Sequence, residues 1–117
     1  MSQLYREHIL DHYQNPRNQG SLSNPTVQVD EANPLCGDIL HFDVQVTDGV
    51  IGDIKFSGHG CAISLAAASI LTDEIKGKKV DELPTDQEMQ DLLGVELSPV
   101  RLKCGLLALS GVRKAVQ

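Results

Sequence analysis

The sequence predicts an α+β fold: a small antiparallel three-stranded sheet with about four to five helices packed against it. Three observations lead there. Residues 39 to 47 alternate cleanly, with Leu40, Phe42, Val44 and Val46 on one side and His41, Asp43 and Gln45 on the other. That is a strand with one wet face. Asp48-Gly49 follows, a strong signal for a tight hairpin turn. Elsewhere the apolar residues recur at helical spacing, punctuated by Gly and Pro.

The elements follow in order. Residues 2 to about 14 predict a helix, with Leu4, Tyr5, Ile9, His12 and Tyr13 on one face and Ser2 as its cap. Asn15-Pro16 stops it, because the residue before a proline is pushed out of helical geometry. Residues 17 to 25 form a loop, and Val27 and Val29 alternate as a short strand. Asn33-Pro34-Leu35-Cys36-Gly37-Asp38 is a polar break. After the hairpin, the return strand runs from Val50 to about Phe56, and Ser57-Gly58-His59-Gly60 ends the sheet. A helix from about Ala62 to Lys76 carries Ile63, Ala66, Ala67, Ile70 and Leu71 as its stripe and stops at Gly77. Thr85 caps a helix to about Leu93, ended by Gly94. Ser98-Pro99 opens a last helix to about Val116, with Leu102, Leu106, Leu109 and Val112 facing inward. Gly105 and Gly111 weaken that helix, so packing must hold it.

Composition narrows the function. A chain of 117 residues predicts one domain, 1–117. A net charge of −6 argues against nucleic acid, which needs a basic stripe, and gives no reason to expect an anionic membrane surface. No signal peptide or membrane-spanning run is evident, so the expected compartment is the cytoplasm. Three cysteines, an odd number, favour metal binding or thiol chemistry over a disulfide framework.

Each cysteine has a distinctive setting. In an extended segment, residues i and i+2 point the same way, so Cys36 and Asp38 can reach one ion across Gly37. Cys61 leaves a Gly-x-Gly turn at a helix N-terminus, where the helix dipole favours a thiolate. Cys104 follows Lys103 and lies near Arg101, whose charges favour the same form. Three accessible, low-pKa thiols suit metal binding or sulfur transfer. With Asp38 they make a four-coordinate set for Zn²⁺ or for iron in a cluster. The carboxylate is a hard partner for a soft ion, which makes such a site labile. Composition and spacing leave a second reading open, three unrelated small buried cysteines.

The motifs decide between them. Tyr5-Arg6, Asp11-His12-Tyr13, Asn15-Pro16-Arg17-Asn18, Asn33-Pro34-x-Cys36-Gly37-Asp38, Gly58-x-Gly60-Cys61-Ala62-Ile63-Ser64, Lys76-Gly77-Lys78 and Pro99-Val100-Arg101-x-Lys103-Cys104 appear in this order. Over nearly its whole length the chain resembles the iron–sulfur cluster assembly scaffold family of the IscU, SufU and NifU N-terminal type. The resemblance implies a small antiparallel sheet with packed helices. It implies sulfur received as persulfide from a pyridoxal-phosphate cysteine desulfurase, recipient apo-proteins, and a site holding either zinc or a transient [2Fe–2S] cluster. The implied ligands are Cys36, Asp38, Cys61 and Cys104. The housekeeping scaffold has a His before its last cysteine, where this chain has Lys103. Lys103, Arg101 and the opening motifs resemble the SufU branch, which holds zinc and takes persulfide on the first cysteine, here Cys36. That would make the chain a zinc-dependent sulfurtransferase partner of the desulfurase; the alternatives are a scaffold on which a [2Fe–2S] cluster is built and passed to apo-proteins, and a binding protein whose zinc is purely structural. SufU-like chains usually carry an insertion of about twenty residues before the last helix, and the stretch from Lys76 to Ser98 is too short for it. Leu97-Ser98-Pro99-Val100-Arg101 also resembles the segment by which the housekeeping scaffold recruits an Hsp70-type chaperone.

Other polar residues have plainer readings. His8 and His12 are one turn apart, a metal pair or a half-buried helix face. His59 stands two residues before Cys61 as a substitute ligand or an exposed loop histidine. His41 reads as polar surface, and Asp43, Asp48 and Asp53 as a solvated strand face and turn. Lys76, Lys78 and Lys79 read as a docking patch or a solvated helix end.

Overall fold

In a computed structural model, the described residues are 3–34 and 37–116, with side chains from residue 6 onward. Ser2 and Cys36, and the side chains of Leu4 and Tyr5, lie outside them. The elements run α1 (Gln3–Gln14), β1 (Val27–Asn33), β2 (Asp38–Thr47), β3 (Val50–His59), α2 (Ala62–Ile75), α3 (Asp86–Leu93) and α4 (Pro99–Val116). The predicted three-stranded antiparallel sheet is present, in the order β1-β2-β3. Four helices accompany it among the described residues, within the expected number.

The β2–β3 hairpin turns at Asp48-Gly49, with Thr47 paired to Val50. Asp48 (φ 53°) and Gly49 (φ 75°) are both left-handed, as a two-residue hairpin turn of this hand requires. On either side of the polar break, β1 and β2 pair antiparallel as far as Asn33 and Asp38. The Gly37 amide donates to the Asn33 carbonyl at 2.9 Å, and Gly37 is left-handed at φ 73°. The extended geometry expected for this segment therefore fails at Gly37. Strand β3 runs on to His59, past the predicted end at Phe56, pairing Gly58 with Leu40 and His59 with Ile39. Gly58 makes this possible. A Cβ there would meet the Ile39 carbonyl oxygen at 2.1 Å, so only glycine lets the two backbones pass.

Helices α2 and α4 lie on the sheet, α1 packs on α2, and α3 bridges α2 and α4. Helix α2 is buried well beyond its predicted stripe, because sheet and helices surround it: Ser64, Ala68, Ser69 and Thr72 are buried along with Ala66, Ala67, Ile70 and Leu71. Its run of small residues permits that close packing. Helix α3 starts on a full capping box between Thr85 and Glu88 and ends at a left-handed Gly94.

Helix α4 buries Leu109 and Val112 as predicted, but the rest of its inner face is turned from the predicted one. Cys104, Gly105, Leu107, Ala108, Leu109, Gly111 and Val112 are buried, while Leu102 and Leu106 are only partly so. The glycines explain the rotation. A Cβ on Gly105 would stand 2.9 Å from Leu93 and 3.0 Å from Leu97; one on Gly111 would stand 3.1 Å from both Phe42 and Glu31. The small residues are the contact surface, and their placement turns Cys104 inward.

The Asn15-Pro16-Arg17-Asn18 motif is a clamp. The Arg17 amide donates to Ser69 Oγ (2.8 Å), Asn18 Nδ2 to Thr72 Oγ1 (3.1 Å), and Lys76 Nζ to Asn18 Oδ1 (2.6 Å). Asn18 adopts φ 63° and its carbonyl accepts from the Phe56 amide at 2.9 Å. This ties the loop to both α2 and β3.

Candidate metal centre

The topology brings three distant segments to one end of the sheet. Asp38 opens β2, Cys61 is the N-cap of α2 just beyond the end of β3, and Cys104 lies in α4. One ligand atom each from Asp38, Cys61 and Cys104 lie within 4.8 Å of one another. Cys36 lies outside the described residues. Its partner position Asp38 is fixed by strand pairing, and Gly37 between them is left-handed.

Each side chain is held by its own local physics. Asp38 is 3% exposed. Its Oδ1 accepts from the Cys61 backbone amide at 3.2 Å, and its Oδ2 from the Ser64 hydroxyl and, at 3.6 Å, from the Cys61 thiol. Cys61 is exposed and has extended backbone (φ −71°, ψ 167°); it caps α2 without a side-chain cap hydrogen bond. Its sulfur is thus turned to the cluster rather than to the helix amides. Cys104 is 4% exposed, against the expectation of three accessible thiols. The rotation of α4 buries it. Gly60 leaves room for the carboxylate: a Cβ there would stand 3.1 Å from Asp38 Cγ and 3.2 Å from the Ser64 Cβ.

The donor set suits a metal. Ligands on a tetrahedral zinc stand roughly 3.3–3.8 Å apart, given bond lengths of about 2.0–2.3 Å. A cluster spread over 4.8 Å needs a contraction of about 1 Å or so to reach that. The donors are two sulfurs and a carboxylate oxygen, a combination suited to borderline-soft ions.

Ser64 was not singled out as a site residue, although it stands in the quoted motif. It is fully buried in the first turn of α2, three residues after Cys61. Its hydroxyl reaches Asp38 Oδ2, Cys61 Sγ (3.5 Å) and the Cys104 carbonyl (3.5 Å). The available signal was the i, i+3 spacing, which puts both side chains on one helix face.

The other candidates fall elsewhere. His12 Nδ1 is 2.7 Å from Ser69 Oγ. That oxygen also accepts from the Arg17 amide. Burial first, then the Arg17 charge, lower the His12 pKa. His8, which is exposed, stacks edge-on against it, 4.9 Å between ring centres, and His12 reaches α2 through Ser69. His59 is exposed at the end of β3, and Lys103 is exposed on α4. Lys76 pairs with Asp53 at 3.3 Å and Lys78 with Glu74 at 2.7 Å. Both lysines are engaged within the chain. Val100 is 62% exposed in the chaperone-like segment.

Asp43 corrects the picture of a solvated strand face. It is 1% exposed, covered by the loop before β1. It accepts from the Leu22 amide (3.0 Å), Gln28 Nε2 (2.9 Å) and His41 Nε2 (2.7 Å). His41 also pairs with Asp30 through Nδ1 at 2.6 Å, so it is an ionic bridge rather than plain polar surface.

Comparison with known proteins fixes the family. The NifU-like N-terminal domain family matches residues 4–117. The chain belongs to that family. An iron–sulfur cluster assembly protein of Debaryomyces hansenii mitochondria is 40% identical over 97% of this chain and 66% of its own length. The zinc-dependent sulfurtransferase SufU of Bacillus subtilis is 37% identical, over 97% of this chain and 89% of its own. The IscU scaffold of Escherichia coli K12 is 35% identical, over 96% and 91%. The SufU alignment spans 132 positions against 117 residues here, so that relative carries extra residues that this chain lacks. A crystal structure described as an iron–sulfur cluster assembly scaffold protein for the SUF system of Fervidobacterium islandicum superposes with a TM-score of 0.86 at 26% identity, covering 95% of each chain. The chain is therefore an iron–sulfur cluster assembly scaffold family member. No helix among the described residues is long and apolar enough to cross a membrane.

Proposed function

We propose that this chain is a cytoplasmic sulfur carrier: it accepts persulfide sulfur on Cys36 from a pyridoxal-phosphate cysteine desulfurase and passes it to cluster assembly on recipient apo-proteins. Zinc would be held by Cys36, Asp38, Cys61 and Cys104. The observation that carries this reading is the convergence of Asp38, Cys61 and Cys104 within 4.8 Å, from three separate elements. Zinc bound there would keep its thiolates ionised at neutral pH. The transfer itself is thiol–disulfide exchange: the Cys36 thiolate attacks the outer sulfur of the desulfurase persulfide, a new S–S bond forms, and the desulfurase cysteine leaves as thiolate. No outside oxidant or reductant is needed. Lys103, where the housekeeping scaffold has a His, supports the zinc-carrier branch, because an exposed ammonium is a poor metal ligand.

A second reading is favoured by the 40% identity to the yeast cluster assembly protein. In it, a [2Fe–2S] cluster is the cargo, built on the same residues. The exposed Val100 segment would then serve an Hsp70-type chaperone. Metal analysis paired with a desulfurase assay separates the two. The carrier holds one tight zinc, stimulates the desulfurase, and loses that stimulation in Cys36→Ala. The scaffold instead yields a stable visible chromophore on reconstitution with iron and sulfide, strengthened by Asp38→Ala. Full stimulation by Cys36→Ala would remove Cys36 as acceptor.

A further inference from the structure

We infer that Ser64 is a positioning residue for the metal centre, holding Asp38 as a ligand. This rests on the metal-binding reading above. The argument is geometric. Ser64 is a fully buried hydroxyl that touches all three converging residues: Asp38 through its carboxylate, Cys61 through its sulfur and Cys104 through its carbonyl. A hydroxyl has one proton to give. The contact with Asp38 Oδ2 is much shorter than the 3.5 Å contacts to Cys61 and Cys104, so the proton goes to the carboxylate. The Cys61 amide meanwhile donates to Asp38 Oδ1. The Ser64 hydroxyl and the Cys61 amide, both from the start of α2, thus fix the rotation of the carboxylate and keep it turned toward the sulfurs, with the Cys61 thiol a longer contact at 3.6 Å.

This matters because Asp38 is the hard member of a soft donor set and the ligand least able to hold its place by bond strength alone. A hydrogen bond that survives metal binding replaces strength with orientation. Removing such a partner typically costs about 10- to 100-fold in metal affinity. The placement of Ser64 is also protected: the Cβ that any other residue would bring at Gly60 would press on both Ser64 and Asp38.

The test is a Co²⁺ titration of the metal-free full chain, read by thiolate-to-cobalt charge transfer and checked by Zn²⁺ competition. Ser64→Ala is expected to bind about tenfold or more weakly. Ser64→Thr, which keeps the donor, is expected to recover most of that loss. In an Asp38→Ala background, Ser64→Ala should have no further effect, a pattern that a merely structural role would not give. Equal affinity in wild type and Ser64→Ala, or an undiminished Ser64 effect without Asp38, overturns the inference and leaves the metal centre standing. Failure of the wild type to bind Co²⁺ overturns both. A measurement on the unaltered protein guards against a misfolded variant. The Ser64 hydroxyl proton should give a slowly exchanging NMR signal that persists when Zn²⁺ is added, and its loss on addition would also overturn the inference.

Discussion

Strand β2 carries two buried carboxylates, Asp38 at its start and Asp43 five residues on, and they do different work. Asp43 is surrounded by nitrogen donors: a backbone amide, a glutamine amide and an imidazole. The two amides stabilise the carboxylate by hydrogen bonding alone, and the imidazole is shared with Asp30. Asp38 shares its surroundings with two sulfurs and a hydroxyl. The two sulfurs can trade their contacts for a metal bond, while the hydroxyl stays on the carboxylate. Burial and a cluster of polar groups are common to both sites, so neither marks function. What separates them is the donor atoms around the carboxylate and the origin of the residues. Asp43 is held by one loop and its own strands, Asp38 by the start of α2 beside α4.

The sharpest way to break this comparison is to remove Asp43. Asp43→Ala leaves the Leu22 amide, Gln28 and His41 without their acceptor. Stranded donors of this kind are expected to cost about 2–4 kcal/mol in total, since a buried unsatisfied group costs roughly 1–3 kcal/mol and His41 can turn partly to water. Urea unfolding measures it. Zinc or cobalt affinity of the folded variant should stay at the wild-type value. A stable Asp43→Ala with damaged metal binding would reverse the roles assigned to the two carboxylates.

A smaller effect, confined to the other site, is expected from Gly60→Ala. The new Cβ meets Asp38 Cγ at 3.1 Å and Ser64 Cβ at 3.2 Å, so Asp38 must shift by a few tenths of an ångström. Metal affinity should fall about tenfold, near 1.4 kcal/mol, by the same loss of ligand orientation that follows from removing a supporting group. Gly60 is exposed at the end of the sheet, so stability should change by less than about 1 kcal/mol. Isothermal titration with Zn²⁺ and a thermal melt of the metal-free protein read the two quantities separately.

How far these roles were legible in the sequence depended on whether local pattern or tertiary contact decided them. The β2–β3 hairpin was legible because alternation and Asp48-Gly49 are local signals. The capping box at Thr85 was legible for the same reason. The inner face of α4 was legible only in its second half, at Leu109 and Val112. Apolar periodicity picks large side chains, whereas α4 also packs through Gly105 and Gly111, where a Cβ would press on its neighbours. That error concealed the burial of Cys104. The end of β3 was missed because Gly58 looks like a turn residue, while its function is to let two backbones pass. Asp43 was read as solvated because alternation says which face a residue is on, not whether a distant loop covers that face. Asp38 and the cysteines stood out by residue type and by resemblance to a family. Ser64 had only its spacing from Cys61 to recommend it.

The smallest effect expected is a pH dependence confined to the Asp43 side, and its sign is fixed by the bridge geometry. Hydrogen bonding to Asp30 raises the His41 pKa above its ordinary 6.5; burial opposes this, and Asp43 adds to the rise. Burial alone would push Asp43 up, but Gln28, the Leu22 amide and His41 together hold it below its ordinary 3.8. A raised histidine contributes stability that is fully present below about pH 6.5 and is lost as pH rises through its higher folded value. A lowered aspartate contributes stability present above about pH 3.8 and lost as pH falls through its lower folded value. The bridge is therefore strongest between those limits, near pH 5. His41 has a side chain 32% exposed and Asp30 one 74% exposed, so solvent screens much of the attraction. The His41→Gln difference in unfolding free energy should peak below about 1 kcal/mol near pH 5 and shrink above neutrality. A difference that instead grows from pH 5 to pH 8 would mean that His41 is bridged as a neutral ring, which the two acceptors on its two nitrogens argue against.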